Sequence, residues 1–552
     1  MLHPESGQSG AQDFHPLRLY PADSFKARVG TATLDMSLTG KHIRGTSLIV
    51  LLFFFVACSD TKQLPHPYAN LDYSYYDTLR NANYTINAAK VRWYIDSMRI
   101  AARDTAYADV YINRYYAHKN PYLWIDLAGA DSRVDSLAGI LATIDSEAVK
   151  PSTVFQSMVN RARQKLRSLD FNKPGEISRN LAEIEYFSTK GLMRMASGMR
   201  YGFINPYKLH NRLDTIESDD TVNVRFRTLY DIPTETAGKK FFAEVIASIP
   251  VGKFPELMSN SRCTSANYLR LRREYSRKDI SSAKRNKIAV NMERYRWRTN
   301  RDAKKFVWIN LPEFYLRAID DESGESLSMK VCEGSLKRKT PMLTSAIERI
   351  ELNPVWTVPQ SIISREIAPR HAGDPEYFER NRMKIIDKTS GDEVMPEDID
   401  AGMLRSGNYS VVQNKGEGNA LGKMIFRFKN NFSIFLHDTP NRDAFNRTVR
   451  AVSHGCVRLE KPFDLAVFLL NDKDPMVIDK MRIAIGMPAE TDKGKALAGD
   501  ENYKTMGLKR VKPPVPLYIT YFTAYPDKEG NIVYTADPYR YDDKILKLLQ
   551  TY

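Results

Sequence analysis

The hydrophobic pattern changes period once, near residue 300, and that change divides the chain into two kinds of fold. Before it, apolar residues recur at three and four positions, as in Val91-Tyr94-Ile95-Met98, Leu137-Ile140-Leu141-Ile144 and Leu181-Ile184-Phe187. That is the spacing of amphipathic helices. After it, the runs 305–310, 314–319 and 327–332 read as strands, broken by Leu311-Pro312-Glu313 and by a Ser323-Gly324 turn. The expected class is therefore α+β, with an all-helical block over 86–300 followed by a mostly-β domain over 301–552. Asn83-Tyr84-Thr85 is the expected cap of the first helix. Residues 354–405 mix helical and turn signals and read as an insertion within the β domain.

Chemistry concentrates in one stretch of the β half. Ser453-His454-Gly455-Cys456-Val457-Arg458-Leu459 follows His437 closely, in a chain with only four cysteines and nine histidines. A cysteine attacks as its thiolate and so needs a base beside it, which makes His437 the candidate partner of Cys456. Gly455 allows a sharp turn and leaves the amides of Gly455 and Cys456 to face an oxyanion, with His454 alongside. A buried structural cysteine, or a metal cluster of His437, His454 and Cys456, is the competing reading. Residues 424–428 alternate in period two, Asn430-Asn431 can make a tight turn with positive φ, and 432–437 return as a strand ending on His437. Asp438 faces away from His437 in an extended chain, so a backbone carbonyl or another group is expected to orient the ring. Ser453 is expected to orient its neighbours. Pro462 opens a helix, and the tail from 518–521 through 537–539 supplies two more strands. His371 receives no catalytic role. The order histidine then cysteine argues against papain-like endopeptidases.

Taken together, His437-Asp438-Thr439-Pro440, the spacer and the Ser453 to Leu459 run resemble the signature of L,D-transpeptidases with a YkuD-type catalytic domain. Tyr115-Tyr116 followed by Pro121-Tyr122-Leu123-Trp124 resembles the start of the scaffold domain in the large, YcbB-type branch. Asn291-Met292-Glu293-Arg294-Tyr295-Arg296-Trp297 is similar to that branch's helix leading into the catalytic domain. Gln413, Gly416, Asn419, Leu421 and Gly422 resemble its glycine-rich approach, with Lys415 where proline is common. Residues 354–405 then resemble a lid over the active site. About ten residues stand where many relatives place a peptidoglycan-binding domain, too few for any compact unit, so that module is expected to be absent.

The resemblance implies a two-step acyl transfer on peptidoglycan stem peptides. Cys456 would attack the L–D peptide bond of a donor tetrapeptide and form a thioester, which an amine of an acceptor stem resolves into a 3–3 cross-link. His437 would serve as general acid and base, as a group of pKa near 7 can. Gly455, Cys456 and His454 would line the oxyanion site, and Arg458, Ser453 and Asn419 would contact substrate. No cofactor and no metal is required. Arg458 reads equally as a solvent-exposed ion pair. Cross-link cleavage, protein attachment to the wall, and a non-catalytic envelope scaffold remain open alternatives.

The N-terminus and the charge bear on location. Lys41-His42-Ile43-Arg44 precedes an eleven-residue apolar run from Ser47 to Ala57, too short to span a bilayer and suited to a signal peptide. Phe55-Val56-Ala57-Cys58 resembles a bacterial lipobox. The expectation is a spurious extension over 1–35, a lipoprotein signal over 36–57, lipidation of Cys58, and a tether over 58–85. That would place the protein in the envelope of a Gram-negative bacterium, facing the periplasm from a lipid anchor. The net charge of +15 is spread along the chain rather than gathered in a nucleic-acid-binding module, and suits anionic envelope polymers. With Cys58 acylated, Cys263, Cys332 and Cys456 remain, so at least one thiol stays free. A Cys263–Cys332 disulfide is left open.

Overall fold

The structure, a computed structural model, describes residues 82–551 except 105, 127–128, 217–224, 299–302 and 375. The expected extension, signal peptide, Cys58 and nearly all of the tether lie outside the described residues.

The helical block comprises α1 (Ala88–Ala101), α2 (Tyr107–Ala117), α3 (Arg133–Leu141), α4 (Gln156–Ser168), α5 (Glu176–Tyr201), α6 (Pro206–His210), α7 (Lys239–Ser248), α8 (Phe254–Ser261), α9 (Ala266–Tyr275) and α10 (Ser282–Arg296). Its axis is α5, most of whose residues are buried, the polar Glu185, Thr189 and Lys190 among them. Helices α1–α4, α7 and α8 pack around it. Glu185 in its interior accepts from the amides of Leu123 and Trp124 and from the Tyr116 hydroxyl, at 2.7, 2.8 and 2.8 Å. The two aromatic runs singled out in the sequence therefore meet on one buried carboxyl. The cap of α1 is Asn87, whose side chain accepts from the Lys90 amide, rather than 83–85.

The strands are β1 (Tyr230–Asp231), β2 (Lys305–Asn310), β3 (Tyr315–Asp320), β4 (Ser326–Gly334), β5 (Met342–Leu352), β6 (Trp356–Thr357), β7 (Met383–Asp387), β8 (Glu393–Val394), β9 (Tyr409–Gln413), β10 (Met424–Phe428), β11 (Leu436–His437), β12 (Ala451–Ser453), β13 (Val457–Leu459), β14 (Leu508–Thr520), β15 (Ala524–Pro526) and β16 (Ile532–Tyr534). The main sheet runs β10-β11-β13-β4-β3-β2-β14-β5-β1, and a further β5–β10 pairing closes it on itself. Closure removes the sheet edges that an open sheet would leave exposed. Val307, Ile309, Leu316, Val331, Ile347, Phe426, Leu436, Val457 and Leu517 fill its core. Helix α11 (Pro462–Leu469) follows β13, opened by its proline as expected.

Two parts depart from the sequence reading. The return strand of the hairpin is only β11, because the Asn430 side chain organises the preceding loop. It accepts from the amides of Phe432 and Ile434 and donates to the carbonyls of Phe428 and Ile434. Residues 537–539 form no strand. They are a loop in which Asp537 accepts from the amides of Tyr541 and Asp542, leading into a terminal helix α12 (Tyr541–Thr551).

The two halves are interleaved. Strand β1, from the helical block, pairs in parallel with β5. Hairpin β15–β16 packs on α9 and α10, and Arg294 of α10 reaches Asp542 of α12 at 2.8 Å. The insertion has its own four-stranded sheet, β8-β7-β9-β6, and its own apolar core of Ile363, Ile367, Phe378, Ile385, Leu404 and Val411. It therefore extends to Gln413, beyond the expected limit of 405.

Candidate active site

Register puts the reactive groups together. Strands β11 and β13 pair in parallel, with Leu436 opposite Val457 and His437 opposite Arg458. Leu436 and Val457 point into the core, so the flanking residues Phe435, His437, Cys456 and Arg458 share the other face. The Phe435 ring lies 5.7 Å from the His437 ring, and the Phe435 backbone hydrogen-bonds the Cys456 thiol. Cys456 is half-buried and free, whereas Cys263 and Cys332 are buried, free and in separate clusters. No disulfide joins them.

His437 is 5% exposed, and its Nδ1 lies 2.5 Å from its neighbour's carbonyl, Asp438 O. A carbonyl only accepts, so Nδ1 carries the proton and Nε2 presents its lone pair. The orienting group is thus a backbone carbonyl. The Asp438 carboxylate turns away and accepts from the Lys423 amide. Burial, aided by Arg458, lowers the His437 pKa to about 4 despite the carbonyls of Asp438 and Leu421. Burial likewise pushes the Cys456 thiol up to about 11, outweighing Phe435, Arg427 and Arg458. The resting pair is therefore neutral thiol and neutral imidazole, not an ion pair. A base poised near 7 does not describe His437, because the ring has lost the water that stabilises its charge. Among the described residues no hydrogen bond joins the thiol to this ring.

The turn before Cys456 is held from two sides. Ser453, 4% exposed, donates to the Cys456 carbonyl at 2.5 Å and accepts from the Gly455 amide at 3.1 Å. Thr340 donates to the Gly455 carbonyl and accepts from the Gly334 amide, both at 2.8 Å. Tyr539 closes the chain, donating to the Gly334 carbonyl and accepting from the Thr340 amide. Gly455 has φ +121°, in glycine's region. Gly334 is needed for a different reason, since a side chain there would collide with the Arg338 carbonyl.

These contacts reassign three expected residues. The Gly455 amide is spent on Ser453, so among the amides named from sequence only that of Cys456 is uncommitted to an oxyanion. Ser453 supports the turn and has no free surface for substrate. Asn419 is 1% exposed, and its amide donates to the carbonyls of Pro354 and Asn414 at 3.2 and 3.0 Å while its carbonyl accepts from Leu421. It ties together the two ends of the insertion, with both side-chain polar atoms committed to backbone. Arg458 is half-buried with an unpartnered Nε, and burial lowers its pKa.

His454 is exposed and its Nε2 bonds the insertion's Glu366. Glu366 also takes Arg338 Nη1 at 2.9 Å. Sequence reading missed Glu366, Arg338, Thr340 and Tyr539. No local pattern marks them, since each meets the site only through tertiary folding. His371 is buried against the Ile399 carbonyl, inside the insertion's own core.

Comparison with known proteins bears on these residues. A family model described as the L,D-transpeptidase catalytic domain, YkuD, matches residues 304–478, and one described as Scaffold domain matches residues 109–274. A Haemophilus influenzae protein named "Putative L,D-transpeptidase" is 32% identical over 260 residues, 47% of this chain and 48% of that one. The chain thus spans about half the length of that curated relative. A solved L,D-transpeptidase from Mycobacterium smegmatis is 14% identical, with 40% of this chain and 59% of that one covered and a TM-score of 0.16. The chain thus carries a YkuD-type L,D-transpeptidase catalytic domain, which holds Cys456 and His437, with a Scaffold domain before it.

Proposed function

We propose that the protein is a peptidoglycan L,D-transpeptidase that uses Cys456 as nucleophile. The observation that carries this is the parallel register of β11 and β13, which sets Cys456, His437 and Arg458 on one face of two rigid strands. In the first half-reaction the thiol attacks the L–D peptide carbonyl of a donor tetrapeptide as His437 Nε2 takes its proton. The same proton goes to the departing amine of the terminal D-residue, leaving a thioester. An amine of an acceptor stem, deprotonated by His437, then attacks the thioester and releases the thiol. Because both groups rest neutral, proton transfer accompanies attack and does not precede it. The Cys456 amide supports the oxyanion, and such donors are worth roughly 3–4 kcal/mol. Arg458, to which no carboxylate among the described residues is bonded, suits a stem carboxylate beside the reacting bond.

The wider setting is part of the same proposal. Helix α9 ends at Tyr275 and α10 begins at Ser282, which supports a chain without a separate wall-binding module at this point. A lipid anchor at Cys58 and a periplasm-facing location rest on the lipobox and its preceding apolar run. The decisive experiment incubates purified protein with disaccharide tetrapeptides and follows products by mass spectrometry. A Cys456 acyl adduct and a cross-linked dimer, both absent in Cys456→Ala, are expected. Hydrolysis without dimer would make the protein a peptidase, and no adduct at all would leave only a scaffold.

A further inference from the structure

The insertion touches the catalytic barrel's turn through one carboxylate. Glu366 lies on a π-helical turn, Ile363–Ile367, an irregularity often found at functional sites. Its Oε1 is shared by Nε2 of His454 and Nη1 of Arg338. The three side chains are 30, 36 and 22% exposed, so the cluster opens to solvent and is not a sealed structural pair. His454 and Arg338 both belong to the barrel. The Arg338 carbonyl lies against Gly455, which places the pair beside the nucleophile turn. Glu366 alone comes from the insertion, a unit with its own core and sheet. Among the described residues no other carboxylate meets either donor.

Two part-exposed donors beside the Gly455 turn thus meet, among the described residues, a single carboxylate that the insertion supplies. We propose that Arg338 and His454 form a binding site for a carboxylate of the incoming peptide, and that Glu366 is its internal stand-in, displaced when that carboxylate arrives. The identity of the ligand rests on the acyl-transfer reading above, whereas the existence of the anion site does not. Glu366 then competes with a ligand's own carboxylate and weakens its binding, whereas a neutral ligand leaves Arg338 with its lid partner and is not affected.

The test compares alkylation of Cys456 in the full chain by iodoacetate and by iodoacetamide, read on the Cys456 peptide by mass spectrometry. The two reagents differ only in charge, so their rate ratio reports anion recognition at the thiol. Glu366→Gln should raise the iodoacetate-to-iodoacetamide ratio about three- to fivefold, the scale of a part-exposed charge pair. Adding Arg338→Gln should bring the ratio below that of the unaltered protein, and Arg338→Lys in its place should restore most of it. An unchanged ratio in all variants overturns the proposal. So does equal acceleration of both reagents by Glu366→Gln, which would mean that the lid opens without anion recognition. With peptides, Glu366→Gln should lower KM for a tetrapeptide acid and not for its C-terminal amide. If no peptide is turned over by any form, the acyl-transfer reading fails while the alkylation ratio still decides the anion site.

Discussion

Cys456 and His437 share one face of paired strands without ionising each other. Each has been desolvated by the strands that aim it, and burial disfavours the charged form of both. A small neutral alkylating agent should therefore react with Cys456 at a rate that still climbs above about pH 9, with no plateau near neutrality. His437→Ala should leave that profile almost unchanged and yet cut peptide turnover by about 10²- to 10⁴-fold, the usual worth of a positioned general base. A thiolate plateau below pH 7 would instead reveal a preformed ion pair. The motif was sufficient to single out these two residues, because a thiol and an imidazole are chemically distinctive types. It could not place the Gly455 amide, whose acceptor Ser453 is local but whose carbonyl partner Thr340 lies on a distant loop.

The insertion shows the same limit for whole elements. Period two made β2, β3, β4 and β10 legible from sequence, since each has one apolar and one mixed face. The end of the insertion was not legible, because β9 belongs to it only by pairing with β7 and β6. Strand β14 was legible only at its end, from 518, and the reason is physical. Pro513, Pro514 and Pro516 argue against a strand, yet the first two fall where the β14–β5 register breaks between Arg510 and Val515. There a missing N–H costs the ladder nothing. Asn419 is the joint at the base of this element. Asn419→Ala should destabilise the protein by about 1–3 kcal/mol, since it strands buried backbone carbonyls. Limited proteolysis should then cut more readily within 354–413. A melting loss without new cleavage there would show that Asn419 supports the barrel and not the insertion.

For the molecule as a whole, acid is the natural enemy. His210 is buried among Tyr230, Trp297 and Tyr541 with neither ring nitrogen bonded. Burial, with Arg294 nearby, lowers its pKa to about 3 from 6.5, and His437 falls to about 4. Between the folded and unfolded values both rings bind fewer protons folded than unfolded, so stability rises with pH across that window. Their contribution is fully present above about pH 6.5 and is lost as pH falls toward 4 and then 3, His210 alone accounting for ~3–5 kcal/mol. Denaturant melts between pH 7 and 4 should show this slope, flattened in His210→Phe. An equal slope in that variant would assign the acid sensitivity elsewhere. The residues matched to the catalytic family, 304–478, also fall short of a folding unit. They lack β14, which lies between β2 and β5. A fragment of those residues should be insoluble or lack near-ultraviolet dichroism, whereas a fragment beginning before β1 and ending after α12 should not.

The position of β14 has a consequence for how the protein is made. Cys456 and its turn leave the ribosome before the strand that joins β2 to β5, so a nascent chain can hold every reacting group and still have no barrel. During that interval β2 and β5 each expose an unpaired edge, open to pairing with other chains. The last strand of the barrel to be synthesised is thus also the one that silences both edges, and an unfinished copy has an incomplete candidate site.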